Sequence, residues 1–276
     1  MTHGLVDVAS RIAEPSPAGT AEPEPFRRRP DFTVDRGIVV PPFLGARVVS
    51  PVWIDEIVGY VNQRDLWGKH WALQPGVGES EHDAIRRRRE MLYERLTAAD
   101  RQELLAPQAA YGYFPVNSSG RGLIIWTDDT RTQERTRLGL TGQWPDLGSV
   151  ADRFKPDREP DYAALQLVTL GSKMSMRLAR RYPGETDADH RLLVGLAAAL
   201  TDALTEYWHR RIRIEWGFAD EDGPTLNLVL GGFYRGYRYP LSGEHQMAVA
   251  GLVGAPAAGD TYNPEYTAAS LIGHHT

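Results

Sequence analysis

The sequence predicts an α+β fold with a mainly antiparallel sheet, and three observations predict it. Ala109–Val116 and Gly122–Thr127 are β-like runs separated by the turn Asn117-Ser-Ser-Gly120, which reads as a hairpin. Leu192–Trp216 carries Leu193, Leu196, Leu200, Leu204, Tyr207 and Ile214 at helical spacing, which predicts a long helix with one apolar face. Strands and helices do not alternate in a strict βαβ rhythm, so a parallel, doubly wound sheet is not indicated.

Taken in order, residues 1–36 hold Pro15, Pro17, Pro23, Pro25 and Pro30 among Ala, Glu and Arg and read as a disordered Pro-rich tail. Residues 37–276 read as one domain. Ser50-Pro51 supplies a helix cap and first turn, and the helix behind it presents Trp53, Ile54, Ile57, Val58 and Val61 before the polar turn Asn62–Asp65. Trp67-Gly-Lys-His-Trp71 suits a packed corner or a ligand rim, and burial of its tryptophans favours the corner. Ser80 caps a charged helix to about Ala98, and Asp100 caps a short one to Leu105. Arg131–Leu140 reads as an edge strand, Ser149–Pro156 as a short helix closed by proline, and Ala164–Leu170 as a central strand. Gly171 opens a helix that Pro183-Gly184 breaks, and the long helix follows with His209, Arg210, Arg211 and Arg213 near its end, where the dipole favours cations. Thr225–Leu230 is strand-like, and the remainder reads as loop-rich.

Composition narrows the function. A net charge of -5 with no separate basic block argues against a nucleic-acid partner. Arg86–Arg89 sits among Glu81, Asp83, Glu90 and Glu94 and reads as an ion-paired, solvated helix face. The absence of cysteine removes disulfides, thiolate metal sites and thiol nucleophiles. No apolar run reaches membrane-spanning length and no leader pattern opens the chain, so a cytoplasmic location without membrane contact is expected.

No metal-ligand spacing appears among the histidines, and no metal is expected. Nucleophile-elbow, phosphate-loop and HExxH patterns are missing as well. What remains is Phe233–Tyr239, where Tyr234, Arg235, Tyr237, Arg238 and Tyr239 offer guanidinium forks for a carboxylate beside stacking faces. An anion-accepting pocket wall and a surface Arg-aromatic stack both satisfy that pattern.

Six ordered segments then carry a family resemblance: Pro41–Val49, Leu66–Trp71, Pro107–Asn117, Leu165–Thr169, Leu204–Arg211 and Tyr234–Arg238. Together they resemble the activation domain of cobalamin-dependent methionine synthase. The resemblance implies a curved antiparallel sheet with flanking helices, a groove for S-adenosylmethionine (SAM), and docking on a cobalamin-binding methionine synthase protein, here in trans. It also implies that Arg238 holds the SAM carboxylate, with Tyr237, Tyr111, Tyr113 and position 62 around the ligand.

Departures fall inside that pattern. The family's acid on the first long helix stands here as Asn62, another as Gly232, and an acid early in the long helix aligns near Ala198. After Arg238 the chain reads Tyr-Pro-Leu-Ser-Gly-Glu-His, not Gly-Tyr-Pro-Ala-Cys-Pro. Each lost charge-assisted contact is worth about 1.5–3 kcal/mol, so weak SAM binding or a related ligand is expected. A second reading follows from the same departures: a small-molecule enzyme on this scaffold with Glu244, His245 and Tyr239 as acid-base residues, supported by Tyr111 and Tyr113.

Overall fold

In the computed structural model the described residues are 38–49, 51–140, 150–180, 184–218, 238–241, 244–254 and 266–273, without the side chains of residues 238 and 244. The expected Pro-rich tail, the strand at Thr225–Leu230 and Tyr237 lie outside them.

One antiparallel sheet organises the chain. Its strands are β1 (Gly45–Val49), β2 (Gln108–Ser119), β3 (Gly122–Trp126), β4 (Glu134–Gly139), β5 (Tyr162–Thr169), β6 (Arg238–Leu241) and β7 (Thr267–Ile272). The order is β4-β3-β2-β5-β7-β6, with β1 also paired to β2, and the sheet curls. Period-two alternation separates the two faces. Tyr111 and Tyr113 of β2 and Ala164 and Val168 of β5 enter one core, whereas Ala110, Phe114, Leu165 and Leu167 enter the other.

Helices cover the first face: α1 (Ile54–Ile57), α2 (Gln63–Asp65), α3 (Glu81–Arg101), α4 (Ser172–Leu178) and the 29-residue α5 (Asp187–Glu215). A sixth, α6 (Glu244–Val253), contributes Val249, Ala250, Leu252 and Val253 to the second core. The Trp67–Trp71 corner is a π-helical turn over Leu66–His70, with Trp67 and Trp71 buried and the Trp71 Nε1 donating to the Leu192 carbonyl at 2.9 Å. Gly195 lets this turn lie against α5, since a Cβ there would stand 2.7 Å from Trp71 Cδ1. The arginine run is only partly the ion-paired, solvated face expected: Arg86 binds Asp83 at 2.8 Å, but Arg87 binds Glu79 at 2.9 Å, and the partly buried Arg88 reaches the Leu73 carbonyl at 3.2 Å and lies 5.6 Å from the Trp67 ring.

Several elements differ from the sequence reading. The first helix starts at Ile54, because Trp53 adopts an extended ψ of 138° as its N-cap and stands 57 % exposed, off the buried face. No breaker separates Ala98 from Arg101, so α3 runs through Asp100 and stops where Glu103 takes φ 52°; the separate helix at Asp100 is not formed. The hairpin turns at Gly120-Arg121, and β2 runs to Ser119, three residues past the Val116 read as its end. Asn117 stays in the strand, buried, donating to the carbonyls of Lys155 and Glu159 and accepting from Trp126 Nε1 at 2.8 Å. Ile214 leaves the apolar stripe of α5 and is exposed, while His209 and Arg213 are buried, with the Arg213 guanidinium 4.8 Å from the Phe218 ring. The buried face therefore rotates along α5 as it passes its last two turns.

The largest correction concerns the C-terminal part, expected to be loop-rich. It supplies β6, α6 and β7, and β7 lies inside the sheet between β5 and β6. Thr267-Ala-Ala-Ser-Leu-Ile272 has only its ends and Leu271 in favour of a strand; partners on both sides provide the rest.

Candidate functional site

The helix-covered face of the sheet brings together an aromatic and charged cluster. Tyr111 and Tyr113 project from β2 beneath the last turns of α5, and Phe43, just before β1, closes over them with ring centroids at 6.0 and 5.0 Å. Trp208 lies 5.3 Å from Tyr111, and Trp216 lies 5.2 Å from Tyr113. At the edge of these rings sits Glu215, held by Arg47 at 3.3 Å, with the Arg47 guanidinium 3.7 Å over Phe43. The Tyr113 hydroxyl is 3.0 Å from both the Ile212 carbonyl and the Glu215 carboxylate.

The electrostatics follow from that burial. Removal from water, then the Glu215 charge and hydrogen bond, push the Tyr113 phenol far above its ordinary range. Burial followed by Glu215 also raises Tyr111, partly offset by Arg47. Both tyrosines therefore remain neutral donors at physiological pH, and Tyr113 has no exposed surface.

A second aromatic group flanks the first along α5. Tyr60 meets Tyr207 at 5.5 Å, and Arg211 lies 5.4 and 5.3 Å from the rings of Tyr207 and Trp208, with its Nη1 2.6 Å from the Tyr207 hydroxyl. Asn62, two residues beyond Tyr60, caps α2 by accepting from the Asp65 amide at 3.1 Å. Polar groups also lie beneath α5. Gln166 donates to the Thr205 carbonyl at 3.1 Å, while its Oε1 and the hydroxyl of Ser270, its partner in register on β7, have no hydrogen-bond partner among the described residues. The indole N–H of Trp208 is in the same position.

The expected site residues divide between the faces. Asn62, Tyr111 and Tyr113 lie on the helix-covered side. Arg238 opens β6 opposite Ile272, a residue of that same core, and its side chain is outside the described residues. Tyr239 is on the other face, buried with Leu241 and 5.7 Å from the Arg153 guanidinium. Glu244 and His245 begin α6, which packs into that second core; the side chain of Glu244 is outside the described residues. The sheet thus separates Tyr239 from Tyr111 and Tyr113. Among the described residues no group of three or more His, Cys, Asp or Glu side chains could hold a metal ion, and no helix is long and apolar enough to cross a membrane.

Sequence reading missed Arg47 and Glu215. The available signal was the one acid, Glu215, that closes the basic run from His209 to Arg213 and precedes Trp216.

Comparisons with known proteins agree with the resemblance carried by the ordered segments. Residues 65–248 match the family model described as vitamin B12 dependent methionine synthase, activation domain. The methionine synthase of Mycobacterium tuberculosis is 29 % identical over 238 residues, covering 79 % of this chain and 20 % of that protein. That of Mycobacterium leprae is 28 % identical over 211 residues, covering 72 % of this chain and 18 % of that protein. The chain therefore spans about a fifth of the length of these curated relatives. The crystal structure of the MetH reactivation domain bound to AdoHcy superposes with a TM-score of 0.70 at 20 % identity, covering 87 % of this chain and 81 % of that one. With the curled antiparallel sheet, its helical cover and a family match over most of the sequence, the chain belongs to the activation-domain family of vitamin B12 dependent methionine synthases.

Proposed function

We propose that this chain binds SAM on the helix-covered face of its sheet and serves as a reactivation domain for a cobalamin-binding methionine synthase protein in trans. The observation that carries the reading is the family match over residues 65–248, which contains β2, all of α5 and Arg238. The fold likeness to a reactivation domain bound to AdoHcy supports the same class of ligand. SAM supplies a methyl group on a cationic sulfur.

The roles proposed for this chain's residues are those of binding and placement. The guanidinium of Arg238 takes the ligand carboxylate as a bidentate partner. Asn62 offers its amide oxygen as acceptor to the ammonium end, where a charged partner would bind more tightly. Tyr237 supplies a stacking face. Tyr111 and Tyr113, buried and neutral, form the floor on which those groups are held, with Glu215 and Arg47 fixing their hydroxyls. A cytoplasmic site of action fits this role.

Calorimetric titration tests the ligand. SAM should give saturable heat, and Arg238→Ala should weaken binding by tenfold or more, the equivalent of about 1.4 kcal/mol. Absence of heat at roughly millimolar SAM, or binding indifferent to Arg238→Ala, would overturn the assignment. For the partner, methylcobalamin should form when the chain, SAM and a reductant are added to a cobalamin-loaded methionine synthase lacking its own activation domain. No spectral change in a mixture that binds SAM would remove the proposed partnership and leave the ligand intact.

A further inference from the structure

We propose that a cavity at the opposite end of α5 binds a free α-amino acid with an apolar side chain. The cavity has a volume of about 320 Å³ and is open on one side, between α3, α4 and the start of α5. That volume falls at the small end of the roughly 300–1,000 Å³ usual for small-molecule sites. Asp189, on its wall, and Ile212, beside the aromatic cluster, are separated by about 35 Å along α5 at 1.5 Å per residue. The cavity is therefore distinct from the proposed SAM site.

Its chemistry selects the ligand class. Ala98, Ala99, Leu104 and Leu193 provide apolar lining. The charged lining consists of two pairs. Arg95 Nη2 lies 3.0 Å from Asp189 Oδ1, both partly exposed, and Arg177 grips Glu185 in a two-bond fork at 3.1 and 3.2 Å with Glu185 only 6 % exposed. The two guanidinium groups and two carboxylates are paired with one another and sum to zero, so the charge of a lone anion or lone cation would find no net compensation on the wall. A zwitterion adds no net charge and meets both signs. Arg95 uses one of its five N–H donors on Asp189, which leaves donors for a second carboxylate at the open side. The apolar lining then takes an aliphatic side chain.

Free L-leucine is the probe, titrated into the full chain alongside N-acetyl-leucine, which keeps only the anion, and leucinamide, which keeps only the cation. Leucine should bind with a dissociation constant on the order of a millimolar or below, and each single-charge analogue at least tenfold more weakly. Ala98→Phe, a surface change on α3 that fills the cavity mouth, should abolish leucine binding, and Arg95→Ala should weaken it about tenfold. Thermal melting of both variants establishes that they fold, and the heat of SAM binding should be unchanged in Ala98→Phe. No leucine binding by the native chain, equal binding of the analogues, or leucine binding undiminished in a folded Ala98→Phe would each overturn the proposal.

Discussion

The phenolic oxygen of Tyr113 stands 3.0 Å from the Glu215 carboxylate, joining the middle of β2 to the last turn of α5 with no water-exposed surface on the tyrosine. One hydroxyl proton serves either Glu215 or the Ile212 carbonyl at a time, so the ring fixes the C-terminal end of α5 at two acceptors. Tyr113→Phe keeps the ring packing and removes a hydrogen bond to a charged acceptor, while Glu215 keeps Arg47 and the Ile212 carbonyl keeps the Trp216 amide. A loss of about 1–3 kcal/mol in urea unfolding is expected. The pH dependence has a definite sign. The folded-state ionisation of Tyr113 is raised, so its contribution is complete below the ordinary value of 10.0 and declines as pH rises beyond it. Native stability should fall between pH 9 and 11 more steeply than that of Tyr113→Phe. Parallel alkaline limbs would show that the phenol is not held as described.

Asn62 tests the electrostatics of the proposed SAM site. Its side chain accepts from the Asp65 amide, and aspartate caps a helix as well as asparagine, so Asn62→Asp should leave thermal stability nearly unchanged. The new carboxylate supplies the charge-assisted partner expected for a ligand ammonium. SAM affinity should rise by roughly 10- to 100-fold, corresponding to about 1.5–3 kcal/mol. Unchanged affinity in a folded Asn62→Asp protein would place the ammonium elsewhere.

The acid limb of stability should contain a contribution from Glu79. Its side-chain hydrogen bond with Arg87, then the Gly76 amide, lower the carboxyl from the ordinary 4.5 to about 2. A depressed folded-state value means that the contribution is present above pH 4.5 and is lost as pH falls through about 2. Glu79→Gln should therefore reduce stability at neutral pH and give a shallower decline from pH 5 to 2 in acid-unfolding curves. Because Arg87 is 40 % exposed and Glu79 17 %, solvent screening keeps the effect small, and acid curves identical to those of the native chain would overturn it.

Local signals made much of the fold legible. The long helix, the β2–β3 hairpin and the central β5 carry strong periodicity or β-branched content, and the ordered family segments fixed their arrangement. Those signals failed where position depends on the far side of the molecule. β7 is Thr-Ala-Ala-Ser-Leu-Ile, a poor strand in isolation that forms between β5 and β6 because both its edges are paired. The stripe assigned to α5 failed at Ile214 because the buried face rotates toward Trp216 and Phe218, a contact 177 residues from Val39 in the case of the Trp216 indole bond. In the candidate site, Tyr111 and Tyr113 were visible as aromatics in a strand. Their neutral, buried state depends on Glu215 and Arg47, which are 168 positions apart in the chain.

Gly195 offers a test in which two effects oppose each other. In an ordinary helix interior, replacing glycine with alanine stabilises by about 0.8–1 kcal/mol, and Gly195 lies well inside α5. Here an added Cβ would meet Trp71 Cδ1 at 2.7 Å, Trp71 Nε1 at 2.8 Å and His70 Cβ at 2.9 Å. Those atoms cannot retreat freely. Trp71 is buried, its Nε1 is tied to the Leu192 carbonyl at 2.9 Å, and its amide closes the π-helical turn on the Leu66 carbonyl. Moving the indole breaks a hydrogen bond, and moving the turn opens the core beneath Leu66 and Trp67. Overpacking of this kind costs about 1–3 kcal/mol, more than the helix gains. Gly195→Ala should therefore be less stable than the native chain by up to about 2 kcal/mol in denaturant unfolding. Trp71→Phe removes the indole nitrogen and part of the clash, so adding it to Gly195→Ala should recover part of the loss. A Gly195→Ala protein more stable than the native chain would show that the Leu66–Trp71 turn does not rest on α5 at this glycine.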